Sequence, residues 1–351
     1  MTYRARLFIP FGVLAALLLS VVAGAQTPVA RPQAPEVTVS TDTAELAAIR
    51  VKANAGDVAA QVLLGRAYAA GQGVPKDDAQ AVAWFRKAAD QGFAKAQFTL
   101  GWMYDNGLGV VKDDVQAVAW SRKAADQGHA GAQFNLGTSY FNGEGVPKDD
   151  AHAVAWYRLA AEQGFATAQF NLGNRYFNGK GVPKDDAQAV AWFRKAADQG
   201  HAGAQFNLGN SYFNGEGVMK DDAQAVAWYR KAADQGLATA QFNLGNSYFN
   251  GEGVPKDDAQ AVAWYRKAAD QGHAGAQVNL GKSYCNGEGV PKDDVSAYLW
   301  LNLAGLAVDD DVARRARDTR ETLAKRMTPA QIAEAQRRSR EWFDTFQKRK
   351  R

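Results

Sequence analysis

Apolar and polar positions along this chain recur with a fixed step. The stretch 204–236 reads AQFNLGNSYFNGEGVMKDDAQAVAWYRKAADQG, and near-copies stand before and after it. Trp84, Trp120, Trp156, Trp192, Trp228, Trp264 and Trp300 fall 36 residues apart, and Leu-Gly pairs from Leu64-Gly65 to Leu280-Gly281 keep the same step. A period between about 20 and 50 residues marks a stacked-repeat architecture, in which a unit hides its apolar face only against its neighbours.

Each unit predicts two helices. In the first, Leu208 and Tyr212 stand at i and i+4, and Asn214-Gly215 supplies a C-terminal stop. The loop from Glu216 to Lys220 follows. The second helix opens at Asp221-x-x-Gln224, a capping-box spacing that returns at Asp77/Gln80 and Asp185/Gln188. Its apolar residues Ala225, Trp228, Tyr229 and Ala232 have helical spacing, and Gly236 closes it. Gly209 lies mid-helix, where glycine costs ~1 kcal/mol relative to alanine. Its recurrence in every unit predicts a helix–helix contact too close for a Cβ.

The flanks read differently. Arg4 and Arg6, the apolar run Leu7 to Val22 and Ala23-Gly24-Ala25 predict a signal peptide over 1–25, cleaved before Gln26. The alternative is an uncleaved anchor helix. Pro28, Pro32 and Pro35 make 26–43 an extended linker. A helix within 44–59 caps the first repeat, seven repeats occupy 60–311, and two helices within 312–351 cap the other end. The second of these starts at Thr328-Pro329-Ala330-Gln331 and runs to about Gln347, leaving a frayed basic tail from Gln347 to Arg351. One elongated domain is expected.

Composition narrows the partners. Cys285 is the single cysteine among 351 residues, so no intramolecular disulfide forms and stability must come from packing. The net charge is +4, but from Val312 to Arg351 Lys and Arg outnumber Asp and Glu 13 to 5. The repeats themselves are net acidic, which removes the main support for nucleic-acid binding along them. No stretch after the signal segment is apolar enough to span a bilayer. The tail offers a weak contact for anionic phospholipid or lipopolysaccharide.

Candidate chemistry is sparse. His129, His201 and His273 share one repeat position but recur every second unit. Helices stack ~8–10 Å apart, so these rings stand at least roughly 20 Å from each other, whereas zinc ligands lie about 2 Å from a shared ion. They read as loop residues copied by duplication. The Asn142-Gly143-Glu144-Gly145 loop lacks the alternating acidic ligands of a calcium site. No nucleophile motif or phosphate loop is present, and Ser139, Ser211, Ser247 and Ser283 are repeat positions. No cofactor, metal site or catalytic centre is expected.

The pattern A-x-x-Q-x-x-L-G-x-x-Y-x-x-G-x-G-V-x-K-D-x-x-x-A-x-x-W, read from Ala168 to Trp192, resembles the Sel1-like repeat, a relative of the tetratricopeptide repeat. The resemblance implies an all-α fold, a right-handed α-solenoid of helix-turn-helix repeats, that binds protein segments and scaffolds complexes. Exported cysteine-rich members have been linked to penicillin binding; this chain lacks their paired cysteines. If helix placement follows the tetratricopeptide relatives, one face of the first helix lines a concave groove. That face holds Phe134 and Asn142; Phe170, Asn174, Phe177 and Asn178; Phe206, Asn210, Phe213 and Asn214; and Phe242, Asn246, Phe249 and Asn250. Asparagine carries a donor and an acceptor and can grip an extended peptide backbone. The competing reading has these asparagines finish the helix and the phenylalanines pack between repeats. The expected protein is an exported, non-catalytic adaptor in the periplasm, or secreted outside the cell, that binds a protein or peptide partner. The competing class is a cell-envelope enzyme acting on peptidoglycan or β-lactams.

Overall fold

The computed structural model describes residues 43–350, so the signal-peptide and linker readings, 1–25 and 26–43, lie outside the described residues. Among those described there are helices and no strands. They form two compact units that divide after Pro147.

The first unit holds α1 (Thr43–Asn54), then the pairs α2 (Val58–Ala70) and α3 (Asp78–Asp90), and α4 (Ala94–Asn106) and α5 (Asp114–Asp126), and finally α6 (Ala130–Asn142). The second begins with α7 (Asp150–Glu162). It continues through α8 (Ala166–Asn178) with α9 (Asp186–Asp198), α10 (Ala202–Asn214) with α11 (Asp222–Asp234), α12 (Ala238–Asn250) with α13 (Asp258–Asp270), and α14 (Ala274–Asn286) with α15 (Asp294–Ala304). It ends with α16 (Asp310–Ala324) and α17 (Pro329–Lys350). Within each unit every helix of the array packs on the next in sequence.

The local rules act at each boundary. Gly215 ends α10 in the left-handed region, φ 75°, with its N–H donating to the Ser211 carbonyl. Asp221 Oδ1 accepts from the Gln224 N–H at 2.9 Å to cap α11. The reciprocal half of a capping box is replaced: the Asp221 N–H donates to the Tyr212 carbonyl at 2.9 Å, which ties the loop back onto the preceding helix. At the start of α17 both halves form, with Thr328 N–H donating to Gln331 Oε1 at 2.8 Å and Gln331 N–H to Thr328 Oγ1 at 3.3 Å.

The mid-helix glycines do mark a close contact. A Cβ on Gly209 would stand 2.6 Å from the Tyr229 ring, and one on Gly173 would stand 2.7 Å from Phe193. The first helix therefore receives the aromatic ring of its own partner helix. The invariant leucines, Leu64 to Leu280, are fully buried. Trp84 and Trp120 in the first unit and Trp228, Trp264 and Trp300 in the second are buried, while Trp156 and Trp192 are half-buried. Trp84, Trp120, Trp192, Trp228 and Trp264 each take a lysine one turn on, with Lys231 Nζ 3.8 Å from the Trp228 centroid and Lys87 Nζ 3.9 Å from Trp84, whereas Leu159 and Leu303 hold that position beyond Trp156 and Trp300.

Two polar ladders run through the same core. Buried Gln205 donates its amide N–H to the Ala197 carbonyl at 3.1 Å and accepts from Gln235 Nε2 at 2.7 Å, and the pattern recurs at Gln61, Gln97, Gln169 and Gln241. These amides satisfy the last carbonyls of the preceding helix, which would otherwise be buried without donors. Arginines of second helices reach tyrosines 18 residues on, as Arg122 to Tyr140 at 2.6 Å and Arg158 to Tyr176 at 2.7 Å.

At the C-terminal end Trp342 meets Trp300 edge-on, with ring centroids 5.9 Å apart, and stacks on Phe346 at 4.7 Å. The helix continues to Lys350, three residues past the expected end at Gln347. Much of the segment expected as a frayed tail is therefore helical. Cys285 is half-buried beside Tyr284 and Val295, and burial pushes its thiol up.

Candidate functional site: an asparagine stripe on the first helices

The expected face divides in two. Phe134 and Phe206 are 6% exposed, so they are core residues and leave the ligand-facing set. Their burial follows from what the first helix packs against: Phe206 lies 5.9 Å from the Tyr229 ring, centroid to centroid. Phe170 and Phe242 are half-buried for the same reason, 6.1 Å from Phe193 and 6.1 Å from Tyr265. Their other faces stack on His201 at 4.5 Å and His273 at 4.6 Å. Phe177, Phe213 and Phe249 remain partly open, each with a loop lysine above it, as Lys256 Nζ 4.8 Å from Phe249.

The asparagines behave otherwise. Asn174, Asn210 and Asn246 are partly exposed, and Asn178, Asn214 and Asn250 are exposed. Asn210 Oδ1 accepts from the Tyr229 hydroxyl at 2.8 Å and from Asn243 Nδ2 at 3.4 Å. Asn246 Oδ1 accepts from Tyr265 at 2.8 Å and Asn279 at 3.1 Å, and Asn174 Oδ1 accepts from Asn207 at 3.0 Å. Each oxygen is committed to an asparagine of the next repeat, and those of Asn210 and Asn246 also to a tyrosine of their own, which fixes each amide plane. The amide N–H groups of Asn174, Asn210 and Asn246 and the Oδ1 atoms of Asn207, Asn243 and Asn279 stay available on the same half-open surface. Asn178 donates to its own helix at the Asn174 carbonyl, 2.8 Å, whereas Asn214 and Asn250 donate to Glu216 and Glu252. In the first unit Asn142 donates to Glu144 at 3.1 Å.

Asn171, Asn207, Asn243 and Asn279 are the residues that sequence reasoning missed. Asn207, Asn210 and Asn214 stand at i, i+3 and i+7, a helical stripe as regular as the one first chosen. The signal was present, but Phe206 drew the face one residue away. Burial of their rings pushes the Tyr229 and Tyr265 phenols well above the ordinary range, so both remain neutral donors to the stripe.

The three repeat histidines are helix N-caps. His129, His201 and His273 each accept at Nδ1 from a backbone N–H three residues on, at 3.2 Å. Where Phe93, Phe165 or Leu237 holds the position, no side-chain cap bond forms. Among the described residues, no group of three or more His, Cys, Asp or Glu could hold one metal ion, and no helix is long and apolar enough to cross a membrane.

A tandem array of helical hairpins whose open face is a row of oriented amides defines a repeat scaffold. The model of the Sel1 repeat matches seven times, over 58–93, 94–129, 130–165, 166–201, 202–237, 238–273 and 274–307, so the chain belongs to the Sel1 repeat family. The matched units start two residues before the phase read from the sequence. A solved Sel1 repeat protein from Oxalobacter formigenes is 38% identical, with 79% of this chain and 80% of that one covered and a TM-score of 0.65. The chain also matches c5321, a protective antigen of uropathogenic Escherichia coli with an SLR fold, at 31% identity over 87% of this chain and 88% of that one, with a TM-score of 0.31. No curated protein matches the chain. Sel1 repeats typically mediate protein interaction.

Proposed function

We propose that this chain is an exported, non-catalytic adaptor that binds an extended segment of a partner protein along the asparagine stripe of its first helices. The observation that carries this reading is the pairing of Asn210 with Tyr229 and Asn243: the amide is held in one orientation while its N–H groups stay unused. Pre-oriented donors and acceptors lower the ordering cost of gripping a peptide backbone. The export half of the reading rests on the Arg4, Arg6 and Ala23-Gly24-Ala25 pattern, which would deliver the chain to the periplasm or outside the cell.

Alanine at Asn210 or Asn246 is a poor test, because it strands a buried tyrosine hydroxyl at a cost of ~1–3 kcal/mol. A photo-crosslinking residue at position 214 or 207 is better, with Ala227, exposed on a second helix, as the control. Crosslinking to another protein from 214 and 207 but not from 227 is expected in the producing cell. Equal or reversed yields would remove the stripe from the function. N-terminal sequencing of the mature chain should begin at Gln26.

A further inference from the structure

The repeats are near-copies, so the place where one departs at two facing positions is informative. The position that holds Phe85, Tyr157, Phe193, Tyr229, Tyr265 and Leu301 elsewhere is Ser121 in the second repeat. In the same repeat, the position that holds Phe141, Phe177, Phe213 and Phe249 is Asp105. A large ring and a phenylalanine have been exchanged for a hydroxyl and a carboxyl. Both replacements line one cleft in the first unit, together with Asp114, Asn135, Ser139 and Glu144.

Ser121 forms its floor. The residue is 5% exposed, its Oγ lies 2.8 Å from where a Cβ on Gly101 would stand, and the hydroxyl opens on the cleft without a hydrogen bond to another protein group. A hydroxyl left to a polar cleft in this way is a group that a ligand would satisfy. Asp105 and Asp114 are half-buried in the wall, and Glu144, exposed, stands at the mouth. Burial pushes the Asp105 carboxyl up, with Asp114 and Glu144 adding to the effect and Lys112 opposing it. Lys112 is exposed and pairs with Asp114 at 3.3 Å, so three carboxyl groups face one resident cation.

We propose that this cleft binds the head group of an organic cation, an alkylammonium or a guanidinium, with Ser121 and Asp105 as its contacts. The carboxyl groups do not form a set of three that could hold a metal ion. Several acceptors around a polar void instead suit a head group with several N–H donors, and charge-assisted bonds of that kind are the strong ones. The site does not depend on the asparagine stripe.

The test is a ligand-observed NMR titration of the mature chain with n-butylammonium, and separately with lysine blocked at both ends. Saturable binding is expected in the wild type, with affinity at least about tenfold weaker in Ser121→Tyr and in Asp105→Asn. Ser121→Tyr reinstates the ring that the sibling repeats carry, so its thermal midpoint should match or exceed that of the wild type. Binding of both probes points to a free amine as sufficient, and binding of blocked lysine alone points to a lysine of a protein; either supports the site. No saturable binding by either probe, unchanged affinity in both variants, or tighter competition by calcium or magnesium would overturn it. Crosslinking from position 214 should be the same in Ser121→Tyr, so this proposal and the adaptor reading fail separately.

Discussion

Gly217 shows how much one hydrogen atom can decide. Its φ is +71°, and a Cβ there would lie 2.1 Å from the Asp186 carbonyl oxygen of the preceding repeat. Gly145, Gly181, Gly253 and Gly289 meet Asp114, Asp150, Asp222 and Asp258 at the same 2.1 Å. Gly236 has φ +91° but nothing within 4 Å of the missing Cβ. Gly236→Ala should therefore cost only the left-handed backbone penalty, ~1–2 kcal/mol. Gly217→Ala must also move a backbone, so a loss nearer ~3–4 kcal/mol is expected. Urea midpoints of the two variants check the difference, and equal losses would mean that the loop has room to give. In the sequence both glycines read as turn residues, because the neighbour that makes the second one obligatory belongs to another repeat.

At the scale of helices, periodicity carried nearly everything. The helical pairs, the glycine contact at Gly209 and the buried set Ala225, Trp228, Tyr229 and Ala232 were all legible, since the spacing that reports them lies within one 36-residue copy. What the sequence hid is the traffic between copies. The Gln235–Gln205 bond spans 30 residues and the Asn243–Asn210 bond 33, and no local rule reports such pairs. The histidine caps escaped for a related reason: Nδ1 of His201 serves α10 while its ring serves Phe170 of α8, 31 residues back. The end of the array offers a test. Trp342 supplies to Trp300 the contact that a further repeat would otherwise make. Trp342→Ala should cost ~2–3 kcal/mol, read as a lower thermal midpoint. Trp342→Phe should recover part of it. No change on alanine substitution would show that α17 adds nothing to the cover.

For the molecule as a whole, acid is the condition that reaches several repeats together. Burial lowers the imidazole pKa at His129 and His201, and at His273 from 6.5 to about 4. The unfolded chain takes up these protons first. The stabilisation they give is complete above about 6.5 and is lost as pH falls toward about 4. A shift of that size is worth up to about 3 kcal/mol for His273. Phe346 lies beside Gly272, next to this ring, so the most strongly shifted histidine is the one that the C-terminal helix covers. Thermal midpoints should fall between pH 7 and pH 4, and His273→Phe should shrink that fall while losing some stability at pH 7. An unchanged pH slope in the variant would assign the acid sensitivity to carboxylates instead.

The fixed offsets of the hand-offs have a genetic corollary. In the Arg–Tyr, Gln–Gln and Asn–Asn hand-offs, donor and acceptor stand 18, 30 and 33 residues apart wherever along the array they fall. Unequal crossing-over that removes or inserts a whole 36-residue copy rejoins every donor to an acceptor of its own kind. A slip by a single codon breaks all three registers at once. Such a gene can change its reach by whole steps without retuning any interior residue, and the near-identity of its central copies is the trace that this kind of growth leaves.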